Sequence, residues 1–130
     1  MHRLAMRARP DELPRMALWL EAALVELGLD ERRAYALQLV AEELVGNVIL
    51  HARPVADEVR IELLVEAAPL RFVIEDDAVG FDPTAAGPVA AVPDLGSAAI
   101  GGRGLLLVRR FSQGWRYNRT EGRNRVEVLL

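Results

Sequence analysis

Between Asp11 and Ala52 the apolar residues keep a helical period, and immediately afterwards the period drops to two. Leu13, Met16, Ala17, Leu20, Leu24 and Leu27 recur every three or four positions, which predicts one helix with Asp11 as its cap and Gly28 as its stop. Asp30 predicts the start of a second helix, with an apolar stripe of Leu37, Val40, Ala41, Leu44, Val45, Val48 and Ala52 closed by Pro54. Val59, Ile61, Leu63 and Val65 then alternate with polar neighbours, as do Leu70, Phe72 and Ile74 after a turn at Ala67-Ala68-Pro69. Helices and strands that are each apolar on one side must hide those sides against one another. The economical arrangement is an α+β fold with the helices on one face of a largely antiparallel sheet.

The ends of the chain fit that frame. His2, Leu4, Met6 and Ala8 alternate with Arg3, Ala5, Arg7 and Arg9, which predicts a first strand ended by Pro10. Gly104 to Phe111 reads as a short apolar helix, and Trp115–Asn118 with Arg125–Leu129 as a closing hairpin around Glu121-Gly122. The predicted order is β-α-α-β-β-loop-α-β-β, a single domain over residues 1–130. From Ala78 to Gly102 there is no period, and a stretch of about 25 residues without regular structure inside a compact domain is usually functional or disordered.

Composition removes whole classes of chemistry. All 16 basic residues are arginine, so a P-loop NTPase, a Schiff-base enzyme and a lysine general base are excluded. The chain has no cysteine, hence no disulfide framework, thiol nucleophile or cysteine metal site. His2 and His51 are the only imidazoles, too few for a multi-histidine cage. A net charge of −3 argues against nucleic-acid binding, which needs clustered positive charge. No apolar run approaches the ~18 residues of a membrane span, and Pro10, Asp11, Glu12 and Pro14 interrupt any signal-like segment, so a cytoplasmic protein without a membrane partner is expected.

Three segments carry candidate chemistry. In Glu42-Glu43-Leu44-Val45-Gly46-Asn47-Val48-Ile49-Leu50-His51, the residues Glu43, Asn47 and His51 are four apart and form one stripe on the helix. An amide oxygen there is a hard ligand suited to Mg²⁺, and a carboxylate one turn away can orient or deprotonate a hydroxyl; the plainer reading is a solvated polar face. In Asp76-Asp77-Ala78-Val79-Gly80-Phe81-Asp82-Pro83 a carboxylate at a strand end can accept from an exocyclic amine, or simply open an acidic turn. Gly101-Gly102-Arg103-Gly104 opens a helix whose bare N–H groups and dipole suit phosphate, or serves as a hinge. His51, Trp19 and Trp115 read as structural, and Arg116, Arg119, Arg123 and Arg125 as a basic edge.

In this order and spacing the three segments resemble the N, G1 and G2 boxes of the GHKL ATPase/kinase superfamily, which includes gyrases and histidine kinases. The likeness runs nearly end to end and is strongest to the small anti-sigma-factor serine kinases of bacterial partner-switching systems. That resemblance implies a Bergerat ATP-binding fold, a two-layer α/β sandwich with a mixed, mostly antiparallel sheet. It implies ATP and Mg²⁺ as cofactors, with Asn47 as the metal ligand and Glu43 as the general base toward a protein serine. Asp76 would accept from the adenine amine beside Gly80, while Gly102, Arg103 and Gly104 would face the phosphates. Residues 81–102 would be a mobile ATP lid. The implied partners are a sigma factor, sequestered by the chain, and a STAS-type anti-anti-sigma protein, phosphorylated by it. An open N-terminal edge strand also leaves room for a homodimer.

The chain departs from the family pattern at three points. Ala78 stands at the first glycine of the G1 box, Leu106 at a glycine of the G2 box, and no Arg or Lys lies between Phe81 and Gly102. Arg103 is the cation nearest the lid. Those departures sustain an alternative, a nucleotide-binding or nucleotide-dead switch that holds a partner without phosphorylating it.

Overall fold

The computed structural model describes residues 1–85 and 102–130, which form a five-stranded sheet with helices on one face. Strand β1 (His2–Arg7) leads through a 3₁₀ turn at Pro10–Glu12 into α1 (Leu13–Leu27) and α2 (Glu31–His51). Strands β2 (Arg60–Glu66) and β3 (Arg71–Asp76) follow, then α3 (Gly102–Phe111), β4 (Gly114–Thr120) and β5 (Arg123–Leu129). The strand order is β1-β2-β3-β5-β4, and all four described pairings are antiparallel. This is the two-layer α+β sandwich expected from the periodicities, with no parallel pair among the described residues.

Most element ends follow from local chemistry. Asp30 caps α2 by accepting from Arg33 N at 2.8 Å, and Gly28 ends α1 at φ +60°, a conformation that a side chain resists. The β4–β5 turn puts both Glu121 and Gly122 at positive φ, as a two-residue turn matched to strand twist requires. The cap expected at Asp11 does not form. Pro10, Asp11 and Glu12 make the 3₁₀ turn instead, and Asp11 accepts from Arg9 Nη2 at 2.9 Å. Glu12 secures that entry by accepting from Arg7 N at 2.7 Å and from Arg15.

The core lies between helices and sheet. Leu37, Val40, Ala41, Leu44 and Val45 of α2 pack with Ile61, Leu63, Val65, Phe72, Ile74, Val126 and Val128. Val108 of α3 and Met16 and Leu20 of α1 join them, and Trp19 and Trp115 flank the cluster as the structural residues expected. Phe111 at the end of α3 meets Tyr35 in the second turn of α2 edge-on at 5.7 Å, which joins the two helices.

The opposite sheet face carries a lattice of ion pairs. Glu127 accepts from Arg116 at 3.0 Å and from Arg125 at 3.0 Å, and pairs with Arg71, which also meets Glu66. Arg125 reaches Glu75 at 2.6 Å, and Arg123 lies near both Glu62 and Glu75. Three of the four arginines of the basic edge expected on the last hairpin, Arg116, Arg123 and Arg125, are therefore paired within the molecule, because strand pairing brings carboxylates from β2, β3 and β5 beside them; Arg119 has no carboxylate partner among the described residues.

Candidate functional site

Three elements converge on one cavity of about 380 Å³, within the range of small-molecule sites. The second half of α2 contributes Asn47 and His51, the end of β3 contributes Asp76, and the turn after it contributes Ala78, Val79, Gly80 and Phe81. Arg53, just past α2, and Asn124 of β5 complete the polar lining. Two of the three segments singled out in the sequence thus meet in space, about 30 residues apart along the chain.

The turn after β3 is held by its own backbone. Val79 N donates to Arg53 O at 2.8 Å, Pro54 bridges Ala78, and Asp77 Oδ1 accepts from Arg60 N at 2.8 Å. Ala78, at the place of the family's first glycine, is 1% exposed and is not among the residues at positive φ. Its methyl is buried without backbone strain, so that departure leaves the turn intact. Past the turn, Asp82 Oδ1 accepts from Thr84 N at 2.8 Å and Thr84 Oγ1 at 2.6 Å, which fixes the first residues of the expected lid. The rest of that lid, residues 86–101, lies outside the described residues.

Asp76 is the site's carboxylate. Its Oδ1 accepts from Asn124 Nδ2 at 2.8 Å and from Ala78 N at 3.0 Å. Among the described residues its Oδ2 takes no hydrogen bond, which leaves an acceptor for an amine in the cavity. Burial pushes its pKa above the ordinary carboxylate value, against the opposing hydrogen bonds from Asn124 and Ala78; Asp77 raises it further and Arg119 opposes.

Asn124 is the residue that sequence reasoning missed. It is 4% exposed and the one buried polar side chain among the described residues. Its Oδ1 accepts from Tyr117 Oη at 2.5 Å, Arg119 Nη1 at 2.9 Å and Phe81 N at 3.2 Å. Its Nδ2 donates to Asp76 and, at 3.1 Å, to Val79 O. Because arginine can only donate, the amide oxygen must face Arg119, and the nitrogen is thereby aimed at the carboxylate. A signal was present: Asn124 shares its strand face with Val126 and Val128, a polar residue at a core position. Arg119 also donates to Ala78 O at 3.2 Å and lies against Gly80, where a Cβ would come within 3.2 Å of its Cδ.

The other expected residues are placed as follows. Glu43 lies one turn before Asn47 on α2, half-buried, and does not line the cavity. Neither Glu43 nor Asn47 has a side-chain hydrogen bond among the described residues, whereas neighbouring Glu42 accepts from Gln38 at 3.4 Å. His51 lines the cavity as an exposed side chain. Gly102, Arg103 and Gly104 are the first three residues of α3, so the glycine-rich segment does open a helix. Leu106, the second departure, is 41% exposed and points away from the core.

A half-buried acceptor beside a tight turn, with an amide from the neighbouring helix on the same cavity wall, is a lining suited to a nucleotide. Residues 6–130 match the family described as "Histidine kinase-like ATPase domain", and the chain belongs to it. It is an ATP-binding, kinase-like domain of the GHKL superfamily. The chain is similar to Serine/threonine-protein kinase BtrW of Bordetella bronchiseptica, 29% identical over 112 residues that cover 85% of this chain and 79% of that protein. No helix among the described residues is long and apolar enough to cross a membrane.

Proposed function

We propose that this chain is a cytoplasmic, ATP-dependent protein-serine/threonine kinase of the anti-sigma-factor type. In this reading it phosphorylates a STAS-type antagonist protein and sequesters a sigma factor. The observation that carries the proposal is the pairing of Asp76 and Asn47 on the wall of one cavity, with Glu43 one helical turn behind Asn47. The likeness to a protein named a serine/threonine kinase supports it.

The residues fit the group they would hold. Asp76 would accept a hydrogen bond from the exocyclic amine of adenine, and Asn124 fixes the carboxylate's orientation from behind. The described residues contain no cluster of three or more His, Asp or Glu able to hold a metal alone. Asn47 would therefore hold Mg²⁺ through its amide oxygen only in company with nucleotide phosphates, which is how Mg²⁺ is commonly bound. Bound Mg²⁺-ATP supplies a transferable phosphoryl group with part of its charge neutralised. The main-chain N–H groups at the start of α3 supply donors for phosphate oxygens. Glu43 would accept the proton of an attacking serine hydroxyl, the terminal phosphoryl group passing to that oxygen as its bond to ADP breaks and ADP leaves. Positioning, rather than covalent chemistry by the protein, carries the reaction.

A second reading, a nucleotide-dependent switch without phosphoryl transfer, is favoured by Glu43 standing off the cavity wall. Incubation with labelled ATP and a STAS-type antagonist separates the two. The kinase reading expects label on the antagonist, lost in Glu43→Gln while ATP affinity stays within about threefold. Binding of ATP by the wild-type chain without label transfer selects the switch. Unchanged Mg²⁺-ATP affinity in Asn47→Ala overturns the role given to that amide in either reading.

A further inference from the structure

We propose that Arg53 is a nucleotide-contacting residue at the base end of the cavity, its planar guanidinium lying over the adenine at the mouth while Asp76 holds the amine at the floor. The inference rests on the ATP-binding reading of this cavity and adds a residue to it.

Arg53 lies two residues beyond the end of α2, and its exposed side chain forms part of the cavity wall. Its main chain is not loose. Val79 N donates to Arg53 O at 2.8 Å, and the adjacent Pro54 bridges Ala78. The main chain from which the guanidinium projects is thus anchored to the turn that follows Asp76, at the end of the cavity where the amine acceptor sits. Asn47 lies six residues earlier, more than a full helical turn back along α2, so the expected metal-phosphate end is displaced from Arg53.

The side chain is uncommitted. Arg53 makes no side-chain hydrogen bond or ion pair among the described residues, and among them it is the one arginine on this cavity's wall. Arg119, by contrast, is spent on Asn124 and Ala78 O behind the turn. A guanidinium is flat, weakly hydrated and attracted to the face of an aromatic ring, so over a purine it closes the solvent side of the site and keeps one face in water. Lysine carries the same charge without the plane.

The test is calorimetric titration of the wild type, Arg53→Ala and Arg53→Lys with adenosine, ADP and Mg²⁺-ATP. Because the side chain is exposed and unbonded, both variants are expected to melt with the wild type. A base-stacking arginine predicts that Arg53→Ala weakens all three ligands by the same factor, about three- to tenfold, and that Arg53→Lys stays within about twofold of Arg53→Ala. Loss confined to ADP and ATP, full rescue by lysine, or unchanged binding of all three would each overturn the inference. A wild-type chain that binds none of the three overturns the ATP reading, and this inference with it.

Discussion

Asn124 spends both ends of one amide on six partners, and that is what makes Asp76 an acceptor of fixed direction. Truncation to alanine would strip Asp76, Arg119, Tyr117 Oη and Phe81 N of the one buried amide they share. Asn124→Ala is therefore expected to cost about 2–3 kcal/mol in urea unfolding and to weaken ATP binding as well. A loss below about 0.5 kcal/mol would mean that water replaces the amide freely. Asp76 gives a pH signature. Its pKa is raised chiefly by burial, so the folded chain holds that proton more tightly than the unfolded chain does. The sign follows: ionised Asp76 is a net cost above the raised pKa, and acidification through it relieves the cost. Asp76→Asn is thus expected to be at least as stable as the wild type at neutral pH, with the advantage fading as pH falls toward and through the raised value. ATP affinity should move oppositely, falling in acid for the wild type as the acceptor is protonated and staying flat in Asp76→Asn once the nucleotide's own titration is subtracted.

At the scale of elements, local rules carried most of the fold. Gly28 and Asp30 were readable as the end of one helix and the start of the next because a left-handed stop and a side-chain cap are decided by one residue each. Asp30→Ala should cost about 1 kcal/mol and Gly28→Ala a similar amount, both measurable as shifts in the denaturation midpoint without a change in slope. The turn at Glu121-Gly122 was legible for the same reason. The entry to α1 was not, because the choice between an Asp11 cap and a 3₁₀ turn depends on Glu12 reaching back to Arg7 N on the neighbouring strand. The site divides along the same line. Asn47 and Asp76 were legible through the likeness of their segments to the family's N and G1 boxes, whereas the place of Asn124 comes from register: it lies opposite Asp76 across the β3–β5 pair, 48 residues away, and no local pattern encodes that.

For the molecule as a whole, the sheet is stabilised differently on its two faces. One is covered by helices and apolar side chains; the other is bound by arginine–glutamate pairs that reach across β2, β3, β5 and β4. Val73 is 1% exposed although no helix covers its face, with Leu64 and Glu127 as its register neighbours. Glu127 is the hub of this lattice. Burial alone would raise its pKa, but hydrogen bonds from Arg125 and Arg116 outweigh that and hold it below the usual carboxylate value. For a depressed acid the linkage runs opposite to that of Asp76: the stabilisation is present above the unfolded-state pKa and is lost as pH falls through the folded one. Because these pairs are partly exposed, Glu127→Gln should cost only on the order of 1 kcal/mol at pH 7, and less in 1 M salt, where the screening length shrinks to about 3 Å. Urea midpoints of the wild type and Glu127→Gln should differ at pH 7 and converge as pH falls through the depressed folded-state pKa. A gap that survives both acid and salt would show that Glu127 acts by packing over Val73 rather than by charge. The uncovered face would then be a second apolar layer under a polar skin.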